Sequence, residues 1–128
     1  HVTADMSIYL EEIFGPVLVM LRAENLQQAL DLVNNHRFGN GVAVFTSSGG
    51  IAREFSNRVQ IGMVGVNVAI PVPLSFYSFG GWKDSIYGPS NIYGMDGIRF
   101  FTRLKTVTTR WPDVDESSAV DLSMPTVK

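Results

Sequence analysis

The amino-acid sequence predicts an α/β fold with a parallel βαβαβ core, and three observations predict it. Residues 17–21, 42–45 and 63–68 are short apolar runs rich in β-branched side chains, of strand length and without helical period. Between them lie two stretches whose apolar residues recur at helical spacing. Strands joined through helices, rather than by two-residue hairpins, pair in parallel, and such crossovers are right-handed.

Each element has its own signal. Residues 17–21 end at Arg22 and form the first expected strand. Asn25 is a good N-cap with Gln28 three residues on, and Leu26, Ala29, Leu30 and Val33 place one apolar stripe on a helix running to about Asn35. Gly39 and Gly41 punctuate the return to residues 42–45, apolar on both faces as a central parallel strand is. Ser48 caps a second helix with the stripe Ile51, Phe55 and Val59, closed by Gly62, and residues 63–68 give the third strand. Pro71, Pro73 and Gly80-Gly81 break regular structure, so residues 69–92 read as a long ordered loop. That loop carries Phe76, Tyr77, Phe79, Trp82 and Tyr87, too many rings to leave in water, so it is expected to pack. A short helix is expected over residues 96–102, capped by Asp96. Residues 104–111 then alternate as a strand exposed on at least one face, which Pro112 ends. Residues 113–128 read as a polar tail with a small apolar patch at 120–124. The expected division is thus 1–103, 104–112 and 113–128.

With 128 residues, 45% hydrophobic and 17% charged, the chain is globular and long enough for one core-bearing unit. A net charge of −2 with scattered basic residues argues against nucleic acid or an anionic membrane as partner. The absence of cysteine excludes a disulfide framework and a thiolate nucleophile on this chain, and His1 and His36 do not make a metal site by themselves. No apolar run approaches bilayer length. The simplest reading is a soluble, non-secreted chain, cytoplasmic or, for a eukaryotic parent, in the mitochondrial matrix. Its start at His-Val-Thr-Ala-Asp reads as cut from the middle of a longer chain.

Taken one at a time, the candidate sites are weak. Adjacent Glu11 and Glu12 on an extended segment point to opposite sides, so at most one faces a given site. Gly15-Pro16 is a turn, His36 after a helix suits a dipole partner at the helix C-terminus, and Lys83 and Lys105 read as surface charges or tail contacts. No spacing of serine, histidine and aspartate singles out a triad, and neither Gly-x-Gly-x-x-Gly nor a P-loop is present.

The order of motifs is what is specific. Glu11-Glu12-Ile13-Phe14-Gly15-Pro16-Val17, two crossover units, Val66-Asn67, Ser78-Phe79-Gly80-Gly81-Trp82-Lys83 and Lys105-Thr106-Val107-Thr108 together resemble the C-terminal portion of the aldehyde dehydrogenase superfamily. Ile70-Pro71-Val72-Pro73-Leu74, Tyr93-Gly94-Met95-Asp96-Gly97 and Thr109-Arg110-Trp111-Pro112 are most similar to its methylmalonate-semialdehyde dehydrogenases.

The resemblance implies an NAD-dependent, coenzyme A-acylating oxidation of a semialdehyde with loss of carbon dioxide. It places Glu12 on the nicotinamide-ribose hydroxyls and Phe14 beside the nicotinamide or its ribose. Phe79, with Phe76 and Tyr77, would wall the acyl pocket, and the Asn67 amide would bond backbone near the active centre, the alternative being a simple strand-end role. The nucleophilic cysteine, the general-base glutamate and most of the dinucleotide domain would lie upstream, leaving this chain inactive alone. Residues 104–111 would join the sheet of a neighbouring subunit in a homo-oligomer. The competing expectation is a non-catalytic assembly module, or a piece of another aldehyde dehydrogenase.

Overall fold

The computed structural model describes residues 2–111. Its elements, in chain order, are α1 (Ser7–Leu10), α2 (Leu26–Asn35), β1 (Phe38–Gly39), β2 (Gly41–Val44), α3 (Gly49–Arg58), β3 (Met63–Val66), β4 (Trp82–Lys83) and α4 (Gly94–Phe101).

The centre is a β2-α3-β3 crossover. β2 and β3 pair in parallel, Gly41 opposite Met63 through Val44 opposite Val66. Helices α2 and α3 contact each other, and Leu30, Phe55, Val59 and Ile61 form the buried core, with Leu26, Val33, Val42, Val44 and Val64 packed around it. The apolar stripes read from the sequence are therefore the faces that are covered, except at Ile51 in the first turn of α3, which is 40% exposed. Both helices start where their caps were expected: Asn25 Oδ1 accepts the Gln28 N–H at 2.9 Å, and Ser48 Oγ accepts the Ile51 N–H at 3.3 Å. Each side chain satisfies an amide that the first helical turn leaves unpaired.

Several expectations are corrected. Residues 17–21 carry no strand pairing, and Val17, Leu18 and Met20 are exposed. An extended run becomes a strand only where a neighbour completes its ladder, and among the described residues none lies beside it. The expected third strand stops at Val66 because Asn67 turns into the left-handed region, φ 56°. Residues 69–92 are not all loop, since β4 pairs antiparallel with β1, Phe38 opposite Lys83 and Gly39 opposite Trp82. Nor are the loop's rings generally packed: Phe76, Tyr77, Trp82 and Tyr87 are exposed.

Helix α4 begins two residues earlier than expected, with Tyr93 rather than Asp96 at the N-cap. Gly94, at φ 61°, makes the turn into it, and Asp96 falls within the first turn. Residues 104–111 form no strand: Leu104 is 97%, Val107 73% and Trp111 88% exposed. A strand ladder needs a neighbouring strand, and among the described residues none pairs with this segment. Helix α1 was not foreseen, because four residues are too few to show a period. The expected tail, residues 113–128, lies outside the described residues, as does His1.

Candidate functional site

Helix α1 delivers the motif that begins at Glu11. Glu11 is its C-cap, donating its N–H to the Ser7 carbonyl at 2.9 Å, and there the backbone becomes extended, φ −101° and ψ 147°. Two tight turns follow around the Gly-Pro pair: the Gly15 N–H donates to the Ile13 carbonyl at 3.1 Å and the Val17 N–H to the Gly15 carbonyl at 2.8 Å. These turns bracket Phe14, whose ring is fully exposed at 102%.

Glu11 and Glu12 both line one cavity of about 830 Å³, with His36, Arg37, Lys83 and Tyr87 among its other walls. Both glutamates, adjacent on extended backbone, border this one cavity. The cavity falls within the size range of small-molecule sites. Neither Phe14 nor Phe79 lines it.

Three chain segments meet at this cavity, and two side chains hold them. The His36 ring accepts the Phe38 N–H at Nδ1, 3.1 Å, while Nε2 lies 2.8 Å from the Tyr9 carbonyl oxygen. The two partners fix the tautomer, since Nδ1 accepts and the proton therefore sits on Nε2. Tyr9 sets its ring edge against the imidazole at 4.8 Å and donates its hydroxyl to the Leu32 carbonyl at 2.9 Å. Burial pushes the Tyr9 phenol above its ordinary pKa.

The expected role of His36 as dipole partner is thus corrected. The carbonyls at the end of α2 are taken instead by Lys83, whose Nζ donates to Val33, Asn34 and His36 at 3.3, 2.7 and 3.0 Å. The reading of Lys83 as a surface charge is corrected with it. Its pairing with Phe38, and a left-handed backbone at φ 53°, bring the ammonium to the helix end. Lys105 is exposed, as expected. At the cavity rim the Arg37 guanidinium meets Asp84 at 2.9 Å, in water on both sides.

Asn67 does bond backbone. Its Oδ1 accepts the Thr46 N–H at 2.9 Å, its Nδ2 donates to the Thr46 carbonyl at 3.0 Å, and its own N–H donates to Val44 at 2.8 Å. The side-chain amide stands in for one more residue of parallel ladder beyond β2 and β3. Asparagine tolerates the left-handed backbone this requires.

The three expected pocket aromatics divide. Phe76 and Tyr77 touch each other, centroids 4.5 Å apart, and both are exposed. Phe79 stacks face to face on Tyr93, centroids 4.6 Å apart and planes within 6°. Tyr93, His36 and Lys83 are the contributors that sequence reasoning missed in these roles. For Tyr93 a signal existed: it immediately precedes the positive-φ Gly94 that starts α4. For Lys83 there was none, because its partners lie 47 to 50 residues away.

Among the described residues no group of three or more histidines, aspartates or glutamates could hold a metal, and no helix is long and apolar enough to cross a membrane.

The chain is an α/β crossover unit with two adjacent glutamates on a ligand-sized cavity. Residues 1–107 match the sequence profile of the aldehyde dehydrogenase family, and the chain belongs to that family. It is 48% identical over 127 residues to a malonate-semialdehyde dehydrogenase of Pseudomonas aeruginosa, covering 99% of this chain and 26% of that protein. It is 50% identical over 119 residues to a mitochondrial Dictyostelium discoideum protein assigned as an acylating methylmalonate-semialdehyde/malonate-semialdehyde dehydrogenase, covering 93% and 22%.

Among solved structures, a methylmalonate-semialdehyde dehydrogenase from Oceanimonas doudoroffii superimposes with a TM-score of 0.85 at 52% identity, over 88% of this chain and 23% of that one. A Sinorhizobium meliloti protein assigned to the same activity and complexed with NAD gives 0.84 at 58%, with the same coverage. The fold is that of the aldehyde dehydrogenases. The chain spans about a quarter of the length of the curated relatives it matches.

Proposed function

We propose that this chain is the C-terminal portion of an NAD-dependent, coenzyme A-acylating dehydrogenase of malonate or methylmalonate semialdehyde. The observation that carries the proposal is Glu12 on a cavity of about 830 Å³, within a chain about half identical to relatives of that name. The NAD in the Sinorhizobium meliloti structure supports the choice of cofactor.

The residues present fit one end of a dinucleotide. Among the described residues the Glu12 carboxylate makes no hydrogen bond within the chain, and two acceptor oxygens on a ligand-sized cavity suit the two hydroxyls of a ribose. The Phe14 ring is wholly open to receive a flat heterocycle. No glycine-rich phosphate turn is present, so the pyrophosphate would be held by residues outside this sequence. Bound NAD would supply the hydride acceptor. This chain's own part is to orient the cofactor through Glu12 and Phe14, to wall the aldehyde site with Phe79, Phe76 and Tyr77, and to hold strand ends in place through Asn67. The thiolate that attacks the aldehyde belongs to the upstream sequence, since this chain has no cysteine.

In the full-length enzyme Glu12→Gln is expected to raise KM for NAD about tenfold or more, in line with loss of charge-assisted hydrogen bonds, and to leave the semialdehyde KM unchanged. An unchanged KM for NAD would sink the cofactor role. The 128-residue chain, given semialdehyde, coenzyme A and NAD, should form no NADH; turnover abolished by Glu12→Ala would refute its proposed inactivity.

The exposure of Leu104, Val107 and Trp111 favours a second, compatible role in assembly, with residues 104–111 adding a strand to another subunit in a homo-oligomer. Size-exclusion chromatography over a range of concentrations tests it, and a strictly monomeric full-length enzyme would count against it.

A further inference from the structure

We infer that Tyr93 is a positioning residue that sets substrate specificity: its ring fixes the plane of Phe79 and so shapes the aldehyde pocket. The inference rests on the proposed reading of Phe79 as a wall of that pocket.

Phe79 lies on a segment with little regular structure, between the prolines at 71 and 73 and the short strand β4. Side chains on such segments take several orientations unless something packs them. What packs this one is Tyr93, at the N-cap of α4, with ring planes 6° apart and centroids at 4.6 Å. A near-parallel stack leaves Phe79 only its opposite face and its edge to present to a ligand.

The stack is anchored at both ends. Ser78 Oγ donates to the Tyr93 carbonyl at 3.2 Å and accepts the Asp96 N–H at 3.3 Å, and the Gly94 N–H donates to the Ser75 carbonyl at 3.2 Å. Space is equally constrained. A Cβ on Gly94 would stand 2.6 Å from the Ser78 nitrogen, and one on Gly80 would overlap the Asn91 amide. Residues 75–80 and 91–96 are therefore one clamped unit, and the Tyr93 ring is its only stacking contact with Phe79 among the described residues.

The role inferred for Tyr93 is exerted through its stack on Phe79. Its effect is to be read in selectivity between aldehydes that differ in bulk, where one methyl in an apolar pocket is worth about ten- to two-hundredfold.

The test measures kcat/KM of the full-length enzyme for malonate semialdehyde and methylmalonate semialdehyde, with KM for NAD alongside. Tyr93→Leu is expected to change the ratio between the two aldehydes about three- to tenfold, the scale of one aromatic stack, with KM for NAD unchanged. Tyr93→Phe, which keeps the stack, should restore the ratio to within about twofold. Phe79→Leu is measured beside them. If it shifts the ratio and Tyr93→Leu does not, the assignment of Tyr93 falls while the pocket reading stands. If neither shifts it, both fall. Should Tyr93→Leu not fold, Tyr93→His, which puts a smaller flat ring on Phe79, is read in its place, and an unchanged ratio overturns the inference.

Discussion

The ammonium of Lys83 lies 2.7 Å from the carbonyl oxygen of Asn34, forty-nine residues earlier in the chain, and it also serves the carbonyls of Val33 and His36. A helix leaves its last carbonyls unpaired, and a cation there satisfies them and meets the negative end of the helix dipole. This one contact closes α2, anchors the β1·β4 pair and fixes the segment that follows Phe79-Gly80-Gly81.

Lys83→Met keeps the aliphatic stem and removes the charge, so it isolates that contact. It should destabilise the chain by about 1.5–3 kcal/mol, the scale of hydrogen bonds to a charged group. The value belongs toward the lower end, because the side chain is only half-buried. The check is a lowered urea midpoint with an unchanged slope; an unchanged midpoint would show that water serves these carbonyls equally well.

Asn67 combines a strained backbone with two side-chain bonds to Thr46, and substitution separates them. Asn67→Ala loses both bonds and keeps the left-handed backbone without asparagine's tolerance for it, at a cost of about 2 kcal/mol. Asn67→Gly also loses the bonds but relieves the strain, so it should cost about 1 kcal/mol less. Equal losses in denaturant unfolding would mean that the φ of 56° stores no strain.

These contacts mark the limit of what the sequence discloses. The helix caps Asn25 and Ser48, the stripes through Leu30 and Phe55, and the β2-α3-β3 crossover were legible because each is written in residues three to five positions apart or in an unbroken apolar run. The proposed role of Glu12 draws on the order of motifs along the chain and on no local period. The Lys83 contacts with the end of α2, the His36 contact with Tyr9 and the Tyr93 stack on Phe79 span 14 to 50 residues, and no local period records such a distance. Residues 17–21 and 104–111 carry strand patterns that the described residues do not pair. A pattern states that an edge is ready, while the ladder depends on what lies beside it.

Gly62→Ala should be among the most damaging small substitutions. A Cβ there would overlap the Gly80 carbonyl oxygen and stand 2.8–2.9 Å from backbone atoms of Gly81. Backbone cannot rotate out of the way as a side-chain tip can, so the segment bearing Phe79 must shift, at about 3 kcal/mol or more. Gly15→Ala is the control: nothing lies within 4 Å of its Cβ position, and the change should be neutral or stabilising by up to about 1 kcal/mol. Comparable losses for the two variants in thermal unfolding would overturn the steric account.

Tyr9 gives the chain an alkaline limit. Its hydroxyl donates to the Leu32 carbonyl at 2.9 Å, which only the neutral phenol does, and burial raises its pKa above the ordinary 10.0. In the unfolded chain the same phenol ionises near that ordinary value. Between the ordinary and the raised value the unfolded state therefore binds fewer protons than the folded one, and stability falls as pH rises. The Tyr9 contribution is fully present below the ordinary value and is lost as pH climbs through the raised one. Tyr9→Phe should be less stable at neutral pH by about 1 kcal/mol, the loss of one hydrogen bond, and should lose less on passing above about pH 10. Unfolding free energies of both proteins across that range provide the measurement, with tyrosinate absorbance marking ionisation. Parallel curves would show that Tyr9 does not set the limit. A steeper decline in the unaltered chain would place the limit at the residue whose carbonyl His36 holds, three positions before Glu12.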